Sequence, residues 1–288
     1  MTNEQLGFIG LGNMGQPMAR HVKEAGHELI VHDLAGTADR APADAGIAQS
    51  NSEVARRCSV VALSLPTVEA NRAVVREMAE SAKSGSIIID TCTIGPEAAA
   101  ENAATLKAAG IGYVDAPVSG LKARADDGTL ASMIAGSETD LARARPLIEG
   151  YSRVVFVVGS EPGQGQRMKV VNNAIYISTL VSVSEALAYG EHGDLDLATM
   201  LDVINASSGQ SLTTQQVFPA YMMSDPPGIS GAEALVLKKD LSLFVDGAAT
   251  EGTPNAAIAR AFETIAAFSD ADPRQDKAEI YRFIRRRK

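Results

Sequence analysis

The sequence predicts an α/β protein in two parts, a doubly wound sheet at 1–162 followed by an all-α domain at 163–288. Three observations carry this. Short β-branched apolar runs alternate with helix-like stretches over the first half. Strand signal stops after Gly163, and a glycine-rich turn, Gly10-Leu11-Gly12-Asn13-Met14-Gly15, links the first strand to the first helix. That turn makes the sheet a Rossmann-type one.

The strands are expected at 6–10, 28–33, 59–65, 86–90, 111–115, 129–135 and 153–158. Helices such as 67–83 and 97–109 lie between them, the second stopped by Gly110. Alternation of this kind predicts a parallel sheet. Beyond the linker 159–165, segments 167–190, 198–208, 233–250 and 255–269 carry apolar residues at helical spacing, with Gly and Pro at their borders.

A length of 288 residues fits two domains at roughly 100 to 200 residues each. The chain is 45% hydrophobic and 21% charged, which is ordinary globular usage. Its net charge of −9 argues against nucleic acid, whose backbone is held by clustered cations. The basic cluster Arg285, Arg286, Arg287 and Lys288 reads as cations placed at a helix C-terminus. The apolar run 174–183 is about half of what a bilayer requires, so no membrane span is expected. No secretory signal is expected at the amino end. With two cysteines, Cys58 and Cys92, a reduced cytoplasmic setting follows. His21, His27, His32 and His192 show no metal-ligand spacing, and no metal is expected.

In the glycine loop, Gly10 permits a tight turn, Gly12 lets backbone approach a pyrophosphate, and Gly15 lets helix pack on strand. The helix start supplies N–H groups and a positive dipole end. The next strand ends in Asp33, where a carboxylate accepts hydrogen bonds from the adenine ribose. Asp33 repels a 2′-phosphate and Leu34 brings no guanidinium, so NAD is expected in preference to NADP.

Lys169 and Asn173 open the helical half and stand four residues apart, hence on one helix face. A cation and an amide can there converge on one small polar ligand. Lys169 falls near the helix start, where the macrodipole disfavours an ammonium, and Val170, Val171 and Ile175 imply burial. A lysine tuned toward neutrality is a competent general base. Ser119 and Gly120, in the segment Asp115-Ala-Pro-Val-Ser-Gly, follow a strand at the sheet edge where such folds bind ligands, and offer donors to a carboxylate.

These motifs, taken in order, resemble the β-hydroxyacid dehydrogenase family. The resemblance spans nearly the whole chain: Gly7 to Gly15, Leu65-Pro66, Asp90-Thr-Cys-Thr93-Ile, Asp115 to Gly120, Gly128-Thr129-Leu130, Gly163 to Asn173, Glu185-Ala-Leu and Lys239-Asp240-Leu241. It implies Lys169 as the catalytic general acid/base and Asn173 as the amide orienting the substrate. It implies Ser119 and Gly120 as the carboxylate site, and Leu65, Pro66, Thr93 and Lys239 along the nicotinamide half of NAD. Without it, Lys239-Asp240 reads as a solvated charged pair. The chain departs from the family at Leu121, where a second glycine is usual, at Arg124-Ala125, at Cys92 in place of a common serine, and at Ala232. Lys122 and Arg124 have two readings, contact with a second anionic group of the substrate or solvated surface cations, of which the second is preferred.

The expected activity is hydride transfer between NAD and a small anionic β-hydroxyacid, in a cleft between the two domains. Imine reductases are similar in architecture but usually lack the lysine, and decarboxylating sugar-acid dehydrogenases have a larger helical part. A catalytically idle NAD-binding protein is the other alternative. Long apolar helices suggest a homodimer or homotetramer.

Overall fold

The computed structural model describes residues 4–287; Met1 to Asn3 at the amino end, and Lys288 of the basic cluster, lie outside the described residues. The chain divides into two compact units, Met1–Lys169 and Val170–Lys288. That division falls later than the boundary expected at 162/163, because Gly163 and Gln166 at the start of the long helix are hydrogen-bonded to Asp115 of the first unit.

The first unit is built from β1 (Leu6–Ile9), α1 (Gly15–Glu24), β2 (Leu29–His32), β3 (Gly46–Ile47), α2 (Asn51–Arg57), β4 (Val60–Leu63), α3 (Val68–Ser81) and β5 (Ile87–Asp90). There follow α4 (Pro96–Ala108), β6 (Gly112–Asp115), β7 (Val118–Ser119), α5 (Leu121–Asp126), β8 (Leu130–Ala135), α6 (Glu138–Tyr151) and β9 (Ser152–Gly159). The strand order is β3-β2-β1-β4-β5-β6-β8-β7, with β9 beside β8. The run from β3 to β6 is parallel with its reversal of order at β1, the switch point of a doubly wound sheet.

Strands β1, β2, β4 and β5 are buried throughout, which is why they read as unbroken apolar runs. One face of the sheet packs Phe8, Met18, Leu147 and Tyr151; the other packs Leu63, Met78, Ile88 and Leu106. Ser50, Thr67 and Ser137 cap α2, α3 and α6 by accepting from the backbone N–H three residues on. Two features correct the parallel expectation. β8 runs antiparallel to β6 through Asp115 and Ala135, and the two-residue β7 pairs antiparallel with β8. Elements as short as β3, β7 and α5 are too brief to show a period, so the sequence did not mark them.

The second unit is helical, as expected. It contains most of α7 (Gln164–His192), then α8 (Leu197–Asn205), a π-helix at Thr213–Met222, α9 (Ala234–Glu251), α10 (Ala256–Ala271), a 3₁₀ turn at Lys277–Glu279 and α11 (Ile280–Arg286). The π-helix was not anticipated, whereas α11 carries Arg285 and Arg286 in its last turn, as the basic cluster implied; the two meet where Phe218 packs edge-on against Tyr281 at 5.0 Å. By length and composition α7 could cross a bilayer, although its most apolar run had looked too short. Yet it buries Gln166, Asn173 and Ser184 beside Ala174, Ile177, Leu180 and Leu187 within the protein, the pattern of a core helix.

Candidate active site

The glycine loop is shaped as its three positions require. Gly10 has φ +92°, and a Cβ there would lie 2.1 Å from the Ser64 carbonyl oxygen. A Cβ on Gly15 would lie 1.9 Å from the Gly10 oxygen, so the helix start could not seat against the turn. Around Gly12 nothing lies within 4 Å, leaving open the backbone that a pyrophosphate must approach. Leu11 is buried and fixes the turn to the core, whereas Asn13 is exposed and Met14 precedes α1 as its N-cap. The loop therefore fits a dinucleotide.

Asp33 stands at the end of β2 with Oδ2 accepting from Leu11 N at 2.6 Å and Oδ1 from Ala35 N at 2.8 Å. Arg40 also reaches Oδ1 at 3.0 Å. Sequence reasoning looked only at Leu34 and missed this guanidinium, which the chain delivers from seven residues downstream.

After β4, the Leu65 N–H donates to Cys92 Sγ at 3.1 Å, and the thiol in turn faces the Leu63 carbonyl. Cys92 thus takes up the bridging contacts a serine hydroxyl would make. Burial pushes its thiol well up, the Asp90 carboxylate adding to the effect, while burial pushes Cys58 up to about 12. Both thiols are poor nucleophiles there. Thr93 is half-buried and follows this turn, and Pro66 is exposed.

Asp90, fully buried, accepts from Asn71 Nδ2 at 2.8 Å, Tyr113 Oη at 3.1 Å and Cys92 N at 3.1 Å. Desolvation raises its carboxyl nonetheless. Its neighbour across the sheet, Asp115, is in register on β6. Asp115 Oδ2 accepts from Gly163 N at 3.0 Å and Gln166 N at 2.9 Å, and Oδ1 from Gln166 Nε2 at 3.0 Å. Gln166 also donates to the Cys92 carbonyl and accepts from Ile94 N and Gly95 N. Two residues quoted only as motif letters, Asp115 and Gln166, thereby fasten the first turn of α7 to the Thr93 loop. Buried polar side chains with several partners are the signal that could have found them.

Ser119 ends β7 and Gly120, at φ +146°, caps α5. A Cβ on Gly120 would meet the Arg124 side chain at 2.8 Å. Leu121, where the family usually has glycine, has φ +63°, a left-handed backbone that costs an ordinary residue roughly 1–2 kcal/mol. Lys122 pairs with Asp126 at 2.6 Å, in keeping with a surface role.

On α7, Lys169 and Asn173 are both buried, at 9% and 6% exposure. Contrary to expectation, the apolar neighbours do not all share this burial: Val170 is buried, but Val171 and Ile175 are exposed and lie on another face of the helix. Asn173 Nδ2 donates to Asp240 Oδ2 at 2.9 Å, and Asn172 Nδ2 donates to Asn173 Oδ1 at 3.2 Å, reaching back from its neighbouring position. Lys239 Nζ pairs with Asp240 Oδ1 at 2.7 Å. The Lys239-Asp240 pair is thus no solvated ornament of α9; its carboxylate is 13% exposed and holds Asn173.

The sheet, its switch point and the open glycine loop define a dinucleotide-binding domain, and its likeness to known dehydrogenases makes the chain an oxidoreductase with NAD as its cofactor. Residues 5–159 match the NAD binding domain of 6-phosphogluconate dehydrogenase, and residues 163–284 match the domain described as NAD-binding of NADP-dependent 3-hydroxyisobutyrate dehydrogenase. Mitochondrial 3-hydroxyisobutyrate dehydrogenase of Mus musculus is 33% identical over 86% of this chain and 77% of its own. A probable 3-hydroxyisobutyrate dehydrogenase of Mycobacterium tuberculosis is 34% identical over 86% of each chain. Among solved structures, that of Mycobacterium tuberculosis 3-hydroxyisobutyrate dehydrogenase with L-serine superposes with a TM-score of 0.86 at 28% identity, covering 98% of this chain and 99% of the other. The chain belongs to the β-hydroxyacid dehydrogenase family.

Proposed function

We propose that the protein oxidises a small β-hydroxyacid, or reduces the corresponding semialdehyde, with Lys169 as general acid/base. The observation that carries this is the buried pair on α7, Lys169 and Asn173, with the amide held by Asp240 at 2.9 Å. NAD, when bound, supplies the hydride acceptor. Gly10, Leu11, Gly12, Asn13, Met14 and Gly15 would hold its pyrophosphate and Asp33 its adenine ribose, with Leu65, Pro66, Thr93 and Lys239 along the nicotinamide half.

Neutral Lys169 takes the substrate hydroxyl proton onto Nζ as the carbinol becomes a carbonyl, and returns it in the reverse direction. An amide carries two N–H donors, so Asn173 can hold Asp240 and the reacting oxygen together. Ser119 and the Gly120 N–H receive the substrate carboxylate. The Asp33 carboxylate favours NAD over NADP by repelling a 2′-phosphate. Assembly as a homodimer or homotetramer and a cytoplasmic setting complete the reading.

Lys169→Ala is the test. NAD affinity by calorimetry should stay within about threefold, while hydride transfer from 3-hydroxyisobutyrate, 3-hydroxypropionate, glycerate or serine is lost. An alanine variant that still turns over would remove Lys169 from the chemistry.

A further inference from the structure

Lys277 is an amine that the reaction does not use. It is 1% exposed, and its Nζ has no hydrogen-bond partner among the described residues. The Nζ sits 5.6 Å from the ring centroid of Tyr176 and 6.0 Å from that of Tyr221. Tyr176 Oη is buried and equally without a partner. The adjacent Asp276 carboxylate is engaged elsewhere, accepting from Ser230 N, Ser230 Oγ, Gly231 N and Ala278 N.

A buried ammonium is normally paired, because an uncompensated charge away from water is strongly unfavourable. Aromatic faces offset part of that penalty but accept no hydrogen bond of ordinary strength. Lys277 Nζ, over the Tyr176 ring, and Tyr176 Oη are two donors lacking an acceptor, and are therefore complementary to an anion. Position adds to this. Tyr176 follows Asn173 by three residues on α7, so it lies on the face that carries Lys169 and Asn173. Tyr221 belongs to the π-helix, a geometry that recurs at functional sites.

We propose that Lys277 Nζ and Tyr176 Oη form an anion subsite that receives a second carboxylate of the hydroxyacid, making the preferred substrate a dicarboxylate. The inference rests on the assignment of Lys169 and Asn173 to the reacting carbon and adds the far end of the molecule.

Glutarate and butyrate, which differ by that carboxylate and do not react, are the probes. Calorimetry on the full chain saturated with NAD should give glutarate at least a tenfold tighter dissociation constant, the scale of one charged hydrogen bond. Lys277→Met should bring the ratio to about one, and Tyr176→Phe should reduce it at least threefold while keeping the ring. A preference for glutarate that survives in Lys277→Met, or no preference in the wild type, overturns the subsite. Oxidation of 3-hydroxyisobutyrate by the wild type is read separately. If it fails while the Lys277-dependent glutarate preference holds, the reaction assignment falls and the anion subsite is supported.

Discussion

The side chain and backbone of Gln166 together occupy both oxygens of Asp115, with N donating to Oδ2 at 2.9 Å and Nε2 to Oδ1 at 3.0 Å. Lys169 stands one helical turn beyond, so this clasp sets where α7 begins and with it where the amine is carried. Gln166→Leu should lower stability by about 2–3 kcal/mol, since it strands buried partners on Asp115, Ile94 and Gly95. Burial pushes the Asp115 carboxyl up to about 6. Gln166→Glu should therefore fold adequately near pH 5, where Asp115 is protonated and donates to the new carboxylate. It should weaken as pH rises to 7 and two anions face one another. Urea unfolding at both pH values checks this, and a variant equally stable at the two would dissociate Asp115 from the effect.

Asp240 holds the Asn173 amide at 2.9 Å. Asp240→Ala should lower kcat at least tenfold, with the dissociation constant of NAD moving less, because a misplaced amide affects the reacting geometry more than cofactor binding. Asp240→Asn keeps an oxygen to accept from Asn173 and should recover most of the rate. Equal losses in both variants would point instead to the charge opposite Lys239.

Arg40 is restrained by Asp33 at 3.0 Å. Removing the carboxylate in Asp33→Ser takes away the repulsion toward a 2′-phosphate and releases a guanidinium able to bind it. The ratio of kcat/KM for NADP to that for NAD should rise at least a hundredfold, and adding Arg40→Ala should reverse most of the gain. A double variant with undiminished NADP use would show that Arg40 takes no part.

Lys277 gives a pH signature of stability. Burial brings its ammonium down from 10.5 to about 8, Asp276 opposing. Below pH 8 both folded and unfolded chains hold the proton, and the folded chain bears the full penalty of the buried charge. Between pH 8 and 10.5 the folded chain has shed the proton that the unfolded chain still binds, so stability rises with pH. Lys277→Met should thus be more stable than the wild type by about 3 kcal/mol at pH 7, a gap that closes toward pH 10. Unfolding free energies at the two pH values decide it; a gap independent of pH would mean that the amine is not buried as a cation.

The Rossmann half was readable because β1, β2, β4 and β5 are buried on both faces and because Gly10 and Gly15 have separate steric reasons to be glycine. Lys169 and Asn173 were singled out from helical spacing joined to the family resemblance, and both are buried on α7. What escaped was tertiary: Arg40 meeting Asp33, Asp240 meeting Asn173, and Lys277 meeting Tyr176 from far along the chain. No local period encodes such encounters. The π-helix escaped for a different reason, since its wider turn smears the 3.6-residue pattern by which helices are recognised.

Finally, α7 runs unbroken for 29 residues and carries Lys169, Asn173 and Tyr176 in sequence. Each residue in such a helix adds about 100° of rotation and 1.5 Å of advance. An in-frame insertion between Lys169 and Tyr176 would therefore swing every later side chain away from its partners, however conservative the inserted residue. The spacing from Lys169 to Tyr176 is thus a quantity that exchange of one side chain for another leaves intact and that gain or loss of a single residue would not.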